Sequence, residues 1–357
     1  MRTRLHAARR SSWLLLAFCA IAASGGAAEP TPEEHALAPR QIGIVDVYGL
    51  NRLRADRIRR AVNIKEGTAV TPAASPSLRS AIEKRVTSVP GVERAQATLV
   101  CCENSRLILY VGVQESGAAG TPSRPAPAGA VRLDADIVQA GQEEDRAISA
   151  AVASGNASED DSEGHSLARD PAIRAVQEHF LVYADQHVLE LRAVLRDSGD
   201  AKHRALAAAV IGYVSDKQSV VDDLVYAMSD PDSDTRNNAM RTLAVFTFTV
   251  PTATRTVPRV PYEPFIALMS SLDWTDRNKA SAALMGLSSH RDPALLAQLR
   301  QKALTPLVEM ARWKALGRAG PALFVLGRVG GLSEEDLRNT VYRDEREPII
   351  RAALAAQ

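Results

Sequence analysis

Four copies of one short pattern constrain this 357-residue chain more than any other feature. Arg204-Ala205-Leu206-Ala207, Arg236-Asn237-Asn238-Ala239, Arg277-Asn278-Lys279-Ala280 and Arg312-Trp313-Lys314-Ala315 share Arg-x-x-Ala at spacings of 32, 41 and 35 residues. Ile211, Leu243 and Leu284 each follow one of the first three arginines by seven positions. An apolar helical stretch (Val188 to Leu195, Val221 to Met228, Phe265 to Leu272) and an aspartate-bearing turn precede each of those three copies. A single unit of this length cannot bury its own apolar face, whereas stacked neighbours can, so the period predicts an all-α solenoid over 187–357. Residues 247–264, rich in Pro and Thr, interrupt it as a non-helical insertion, and the glycines of the last unit suit an end cap.

The remainder of the chain divides by composition. Hydrophobic residues at 46% and charged residues at 24% are globular values, which excludes wholesale disorder and a multi-span membrane protein. Arg2 to Arg10, the apolar run Trp13 to Ala23 and Gly26-Ala27-Ala28 stand in the order of a secretory signal, so residues 1–28 read as a removable leader. The apolar run is shorter than the ~20 residues of a membrane span, and Phe18 before Cys19 is wrong for a lipidation site. The expected product is an exported protein of the bacterial periplasm or cell envelope, with no membrane span after cleavage. Removing four leader arginines leaves 39 basic and 42 acidic residues, a balance against a general nucleic-acid binder.

After a tether at 29–41, residues 42–115 read as β-α-α-β-β, with a tight hairpin at Glu103-Asn104-Ser105. The segments IVDVYGL, NIKEGT, PGVERAQATLV and LILYVGVQE, with Gly49, Gly67 and Gly91-Val92 at their junctions, resemble a POTRA domain, the polypeptide-transport-associated module of bacterial envelopes. Such modules usually precede an outer-membrane barrel, and the downstream sequence lacks the alternating ~10-residue strands of one. Residues 116–130 read as a linker and 131–186 as a helical region. The phrases VVDDLVYAMSDPDSDTRNNAMRTL, WTDRNKASAALMGL and EMARWKALGRA resemble the HEAT repeat. With the leader and the POTRA-like module they resemble a group of envelope HEAT-repeat proteins without a settled biochemical role. The fold expectation is therefore multidomain: a small α/β POTRA-like domain followed by a HEAT-like α-solenoid.

Few residues point to chemistry. The seven histidines include no i, i+4 pair, and no Gly-x-Ser-x-Gly or phosphate-cradling glycine loop occurs. No catalytic, metal or cofactor residue is expected. The run Glu159 to His165 lacks the ligand spacing of an EF-hand loop and reads as a solvated capping loop. Asp200, Arg204, Asp230, Arg236, Asp273, Arg277 and Arg312 are expected to form a structural ladder of helix caps and ion pairs, because a feature repeated in every unit suits stacking better than a single ligand site. Partner contact is expected at Asn237, Asn238, Arg241 and Asn278 beside the core-facing residues of the second helices, and at Arg255 and Arg259 of the insertion. Cys101 and Cys102 are expected as shielded thiols and candidate redox residues, with a vicinal disulfide or interchain bonds as the alternatives.

These readings combine into a non-catalytic exported scaffold that binds envelope proteins or extended peptides through the solenoid and an open sheet edge. The rival readings are an enzyme or ligand receptor with a pocket between the 131–186 helices and the solenoid, and an accessory factor in outer-membrane protein assembly or secretion. Partner identity, pathway and oligomeric state are not encoded in any motif.

Overall fold

The computed structural model describes residues 38–121, 123–154 and 158–356. The leader expected at 1–28 and most of the tether lie outside the described residues. No helix among the described residues is long and apolar enough to cross a membrane.

The N-terminal module contains β1 (Arg40–Tyr48), α1 (Ala55–Val62), β2 (Ala69–Val70), α2 (Ser75–Thr87), β3 (Val92–Glu103) and β4 (Arg106–Glu115). The sheet order is β2-β1-β4-β3, with β1 parallel to β4 and the other pairs antiparallel. The sequence reading of β-α-α-β-β omitted β2, a two-residue strand too short to show alternation. Asn104 and Ser105 both adopt positive φ (49° and 60°), the conformation a two-residue hairpin requires. Leu109, Val111 and Val113 of β4 face one way and bury against Ile58, Val62, Ile82 and Val86 of α1 and α2.

The opposite face of the same strands is also buried. Ile108 and Tyr110 of β4, with Tyr48 of β1, belong to the large core that runs through the helical repeats. Tyr110 stacks on Trp274 with ring centroids 5.0 Å apart, and Trp313 lies 4.8 Å from Tyr110 and 5.8 Å from Tyr48. Gly112 permits this approach, because a Cβ there would stand 2.6 Å from the Leu272 carbonyl oxygen and 2.7 Å from the Tyr48 ring. The expected tethered module is therefore corrected: the sheet is a covered layer of the molecule. The alternation along β4 satisfied one face, and the large aromatic residues on the other face were the signal of a second one.

The 116–130 linker is likewise fixed. The Arg124 amide bonds to Ser229 O (2.8 Å), and Gly129 exchanges bonds with the Asp197 carbonyl and the Gly199 amide (2.8 Å each). Arg124 also pairs with Asp230 and lies over the Tyr226 ring. The absence of periodicity reflects a segment whose Arg124 and Gly129 bond to the turns of the first two repeats rather than to neighbours in sequence.

The helical part begins with α3 (Ala135–Ser154), then a small hairpin of β5 (Glu159–Asp160) and β6 (Leu167–Ala168), then α4 (Pro171–Gln186). Paired helices follow: α5 (Val188–Asp197) with α6 (Ala201–Val210), α7 (Val221–Ala227) with α8 (Ser233–Thr247), and α9 (Glu263–Leu268) with α10 (Trp274–Leu287). A longer first helix, α11 (Pro293–Gln298) continuing through a π-type turn into α12 (Leu304–Ala311), pairs with α13 (Leu316–Val329). The last pair is α14 (Glu334–Tyr342) and α15 (Arg346–Ala355). Second helices α6, α8, α10, α13 and α15 pack successively on one another and form a continuous layer. Ala207, Ala208, Ala239, Ala280, Ala283 and Ala322, all buried, let these helices approach closely.

Candidate protein-interaction surface

Three arginines perform the same task in three consecutive repeats. Arg204, Arg236 and Arg277 each donate to the carbonyl six residues earlier, at Ser198 (2.9 Å), Asp230 (2.8 Å) and Ser271 (2.6 Å). Each then reaches a carboxylate of the following unit. Arg204 makes a two-pronged bond to Asp230 (2.8 Å each), Arg236 contacts Asp276 (3.0 Å) and Asp273 (3.1 Å), and Arg277 contacts Glu309 (2.9 Å). The helix caps are separate residues in part: Asp200 accepts from Lys202 N, Asp232 from Thr235 N and Asp273 from Thr275 N. Asp276, one of the turn aspartates, and Glu309, which no spacing displays, belong to the ladder as well.

Arg312 departs from this geometry. It sits at the C-terminal end of α12 rather than leading a second helix, and makes an exposed pair with Glu347 (3.1 Å). The reason lies next door, where Trp313 is turned inward to meet the sheet tyrosines, so that 312–315 is a turn and α13 begins only at Leu316.

The ladder also fastens the N-terminal module. While one Glu309 oxygen holds Arg277, the other accepts the amides of Gly49 (2.7 Å) and Leu50 (3.3 Å). Asp46 accepts the Lys314 amide (2.9 Å), and burial raises its pKa despite that bond and the nearby cations. Within the module, burial alone would raise the pKa of Glu115. The Asn51, Arg52 and Leu53 amides and the Arg52 guanidinium instead hold it at about 2.

The residues assigned to partner contact divide. Asn238 donates to the Ala205 carbonyl of the preceding repeat (2.9 Å), and Asn237 donates to Asn238 on the same helix (3.1 Å). Asn278 remains half-buried on α10. Arg241 is paired with Glu159 of the acidic run, and its side chain keeps 36% of its surface exposed. Arg255 bonds to Glu163 (3.0 Å) and to Ser162 O (3.2 Å). Arg259 has an exposed side chain, while its amide donates to Gln218 (2.7 Å).

Two expectations are corrected here. The 159–165 run is an ion-paired strap rather than a solvated loop, anchored by Val250 N to Ser162 O (2.9 Å) and by the Tyr213 hydroxyl to Ser166 O (2.9 Å). The insertion, expected to meet partners through Arg255 and Arg259, also contributes to the interior, since Thr249, Pro258 and Val260 are buried. His165, with its side chain only 9% exposed, lies beneath the strap with Lys217 Nζ 3.3 Å from its Nδ1. Burial, then Lys217, pushes its pKa down to about 4.

Between the strap and the sheet, the second-helix layer presents a row of cations. Arg241 stands on α8, Lys279 on α10 and Arg318 on α13. Arg318 lies over the Trp274 ring at 5.6 Å, with no carboxylate among the described residues within ion-pair distance. Lys279 is half-buried and, among the described residues, has neither an ion-pair nor a hydrogen-bond acceptor for its Nζ. Burial, then Arg241 and Arg318, pushes its pKa down to about 8. At the junction between the strap and the second helices, the cavity bounded by His165, Tyr213 and Arg241 is about 10 Å³, room for a single water. A larger opening of about 380 Å³ lies between α3 and α4, lined by Asp136, Gln139, Glu143, Val176 and His179, within the 131–186 helices rather than between them and the solenoid.

On the remaining surface, β3 forms the open sheet edge, but Glu83 already accepts its Ala97 amide (2.9 Å). Cys101 and Cys102 of this strand, contacted by the guanidinium of Arg40 from β1, are joined in a vicinal disulfide, which replaces the expected thiols. They fall at the bulge between Val100 and Glu103, where the strand departs from regular alternation.

Residues 188–256, spanning α5 through α8 and the start of the insertion, match the family model of HEAT repeats. Over these residues the chain is similar to HEAT repeats. The arginine-to-carbonyl bond of Arg277 extends the HEAT geometry one unit beyond the matched residues. No curated protein matches the chain.

Proposed function

We propose that this chain is an exported, non-catalytic scaffold of a bacterial cell envelope, holding partner proteins on the second-helix layer of its HEAT repeats. The observation that carries the reading is the cation row Arg241, Lys279 and Arg318, of which two members have no carboxylate within ion-pair distance among the described residues. Unpaired half-buried cations cost stability, so their presence beside the repeat-turn arginines Arg204, Arg236 and Arg277, which are all paired, favours a binding role. Export rests on the charged, apolar and small-residue order of residues 1–28. The resemblance of 42–115 to POTRA supports a place in envelope protein traffic. In this reading the module stiffens one side of the scaffold, because its outer face is covered by Trp274 and Trp313.

Cross-linking in cells followed by mass spectrometry tests the reading. The expected result is a reproducible set of envelope proteins linked to α8, α10 and α13. Recovery of the chain in the cytoplasm with residues 1–28 intact, or cross-links only within the chain, contradicts it.

A further inference from the structure

The acidic run that the sequence left without a function lies at one end of the cation row. Glu159, in the extended strand β5, places its carboxylate on Arg241. Its two acidic neighbours are used locally: Asp160 accepts the Ser162 amide (3.0 Å) and Asp161 the Ser166 hydroxyl (2.6 Å). Glu159 is the strap carboxylate that forms an ion pair within the row, while Asp161 reaches Arg241 and Lys279 only through longer-range attraction. The strap thus supplies an ion pair to the first cation and none to the next two.

We propose that the row Arg241–Lys279–Arg318 is a binding site for an extended acidic segment of a partner protein, and that Glu159 is its intramolecular occupant at the first position. This rests on the scaffold reading and names the partner's chemistry. Packed helices stand about 8–10 Å apart, and extended chain advances about 3.3 Å per residue. Side chains on one face of an extended segment recur at every second residue, about 6.6 Å apart, so a segment crossing α10 and α13 meets both cations with carboxylates at positions i and i+2. The strap shows the mode of contact, an extended backbone with one carboxylate on one helix. Trp274, buried under the Arg318 guanidinium, gives that cation an apolar support and limits its hydration.

The strap keeps its place without Glu159, through the Val250, Tyr213 and Arg255 bonds to Ser162, Ser166 and Glu163. Glu159→Gln therefore removes the competing charge without opening the hairpin. The experiment measures fluorescence anisotropy of labelled deca-glutamate titrated with full-length protein at low salt, with deca-lysine as control. Glu159→Gln should tighten deca-glutamate binding several-fold, since Arg241 is released. Lys279→Gln and Arg318→Gln should each weaken it roughly tenfold, equivalent to about 1.4 kcal/mol. Melting curves confirm that each variant folds, and the two sites allow one to fail without losing the test.

Equal affinities in wild type, Lys279→Gln and Arg318→Gln would overturn the site. Unchanged affinity in Glu159→Gln would overturn the role of the strap. Binding of vesicles with anionic headgroups, lost in the same variants while deca-glutamate fails to bind, would overturn the peptide assignment. If deca-glutamate binds as expected and the in-cell cross-links disappear only from other surfaces, the acidic site stands and the scaffold reading of this layer fails.

Discussion

Tyr48, the last residue of the first strand, donates its hydroxyl to the carbonyl of Leu272 at 2.7 Å, joining the N-terminal sheet to a repeat turn 224 positions later in the chain. The Arg277 guanidinium lies 4.7 Å from the same tyrosine ring. Arg277 in turn shares Glu309 with the Gly49 amide, so one short network closes the sheet onto the third and fourth repeats.

Tyr48→Phe should therefore cost about 1 kcal/mol, the net value of a hydrogen bond lost at a partly buried carbonyl. Trp313→Ala should cost on the order of 3–5 kcal/mol, since it empties space between two tyrosines. Denaturant unfolding followed by far-UV circular dichroism checks both. The docked arrangement predicts that the wild-type sheet and repeats unfold in one transition, with Trp313→Ala separating them into two.

The repeat ladder gives a second test. Arg236 and Asp276 are an ion pair with side chains 11% and 1% exposed. Arg236→Ala strands a buried carboxylate and should cost on the order of 3–5 kcal/mol. Arg236→Met with Asp276→Leu should recover a large part of that loss, because both charges leave together. Equal loss in the single and double variants would show that the pair is not the source of the effect.

Two groups set separate acid windows. Glu115 has its folded pKa depressed to about 2 from an ordinary value of 4.5, so its stabilisation is present above pH 4.5 and is lost as pH falls toward 2. The contribution is on the order of 3 kcal/mol. Glu115→Gln should lower stability at pH 6 and flatten the fall below pH 4.5.

His165 acts at higher pH. Its folded pKa is about 4 against an ordinary 6.5, so the unfolded chain binds the proton first and stability declines from about pH 6.5 to 4. His165→Asn should remove that part of the decline in a series of melting temperatures. An unchanged slope between pH 6.5 and 4 would show that the imidazole beneath the strap does not titrate as its burial requires.

The elements legible in the sequence were those with local causes. Leu109, Val111 and Val113 announced a strand by alternation, and Arg204, Arg236 and Arg277 announced repeats by their spacing. What remained hidden depended on contacts across the fold. Arg124 has no periodic neighbour to reveal that it binds Asp230, and nothing near Glu159 in sequence indicates Arg241, 82 positions away. Arg312 matched the repeat pattern, yet the inward turn of Trp313 gave that segment another conformation. Among the expected partner residues, Asn238 was drawn into packing and Arg241 into the strap, whereas Lys279 and Arg318 were overlooked because only the folded layer reveals that they lack partners.

The most direct test of the interaction surface places a photo-crosslinking amino acid at Asn278, beside Lys279 on α10, and separately at Leu189, which is 75% exposed on α5. Irradiation in cells should give envelope-protein adducts from position 278 that carry acidic residues at the linked segment, and these should disappear when Lys279→Gln and Arg318→Gln are added. Identical adducts from positions 278 and 189, or adducts at 278 that survive both substitutions, would contradict the assignment of this layer as the protein-binding face.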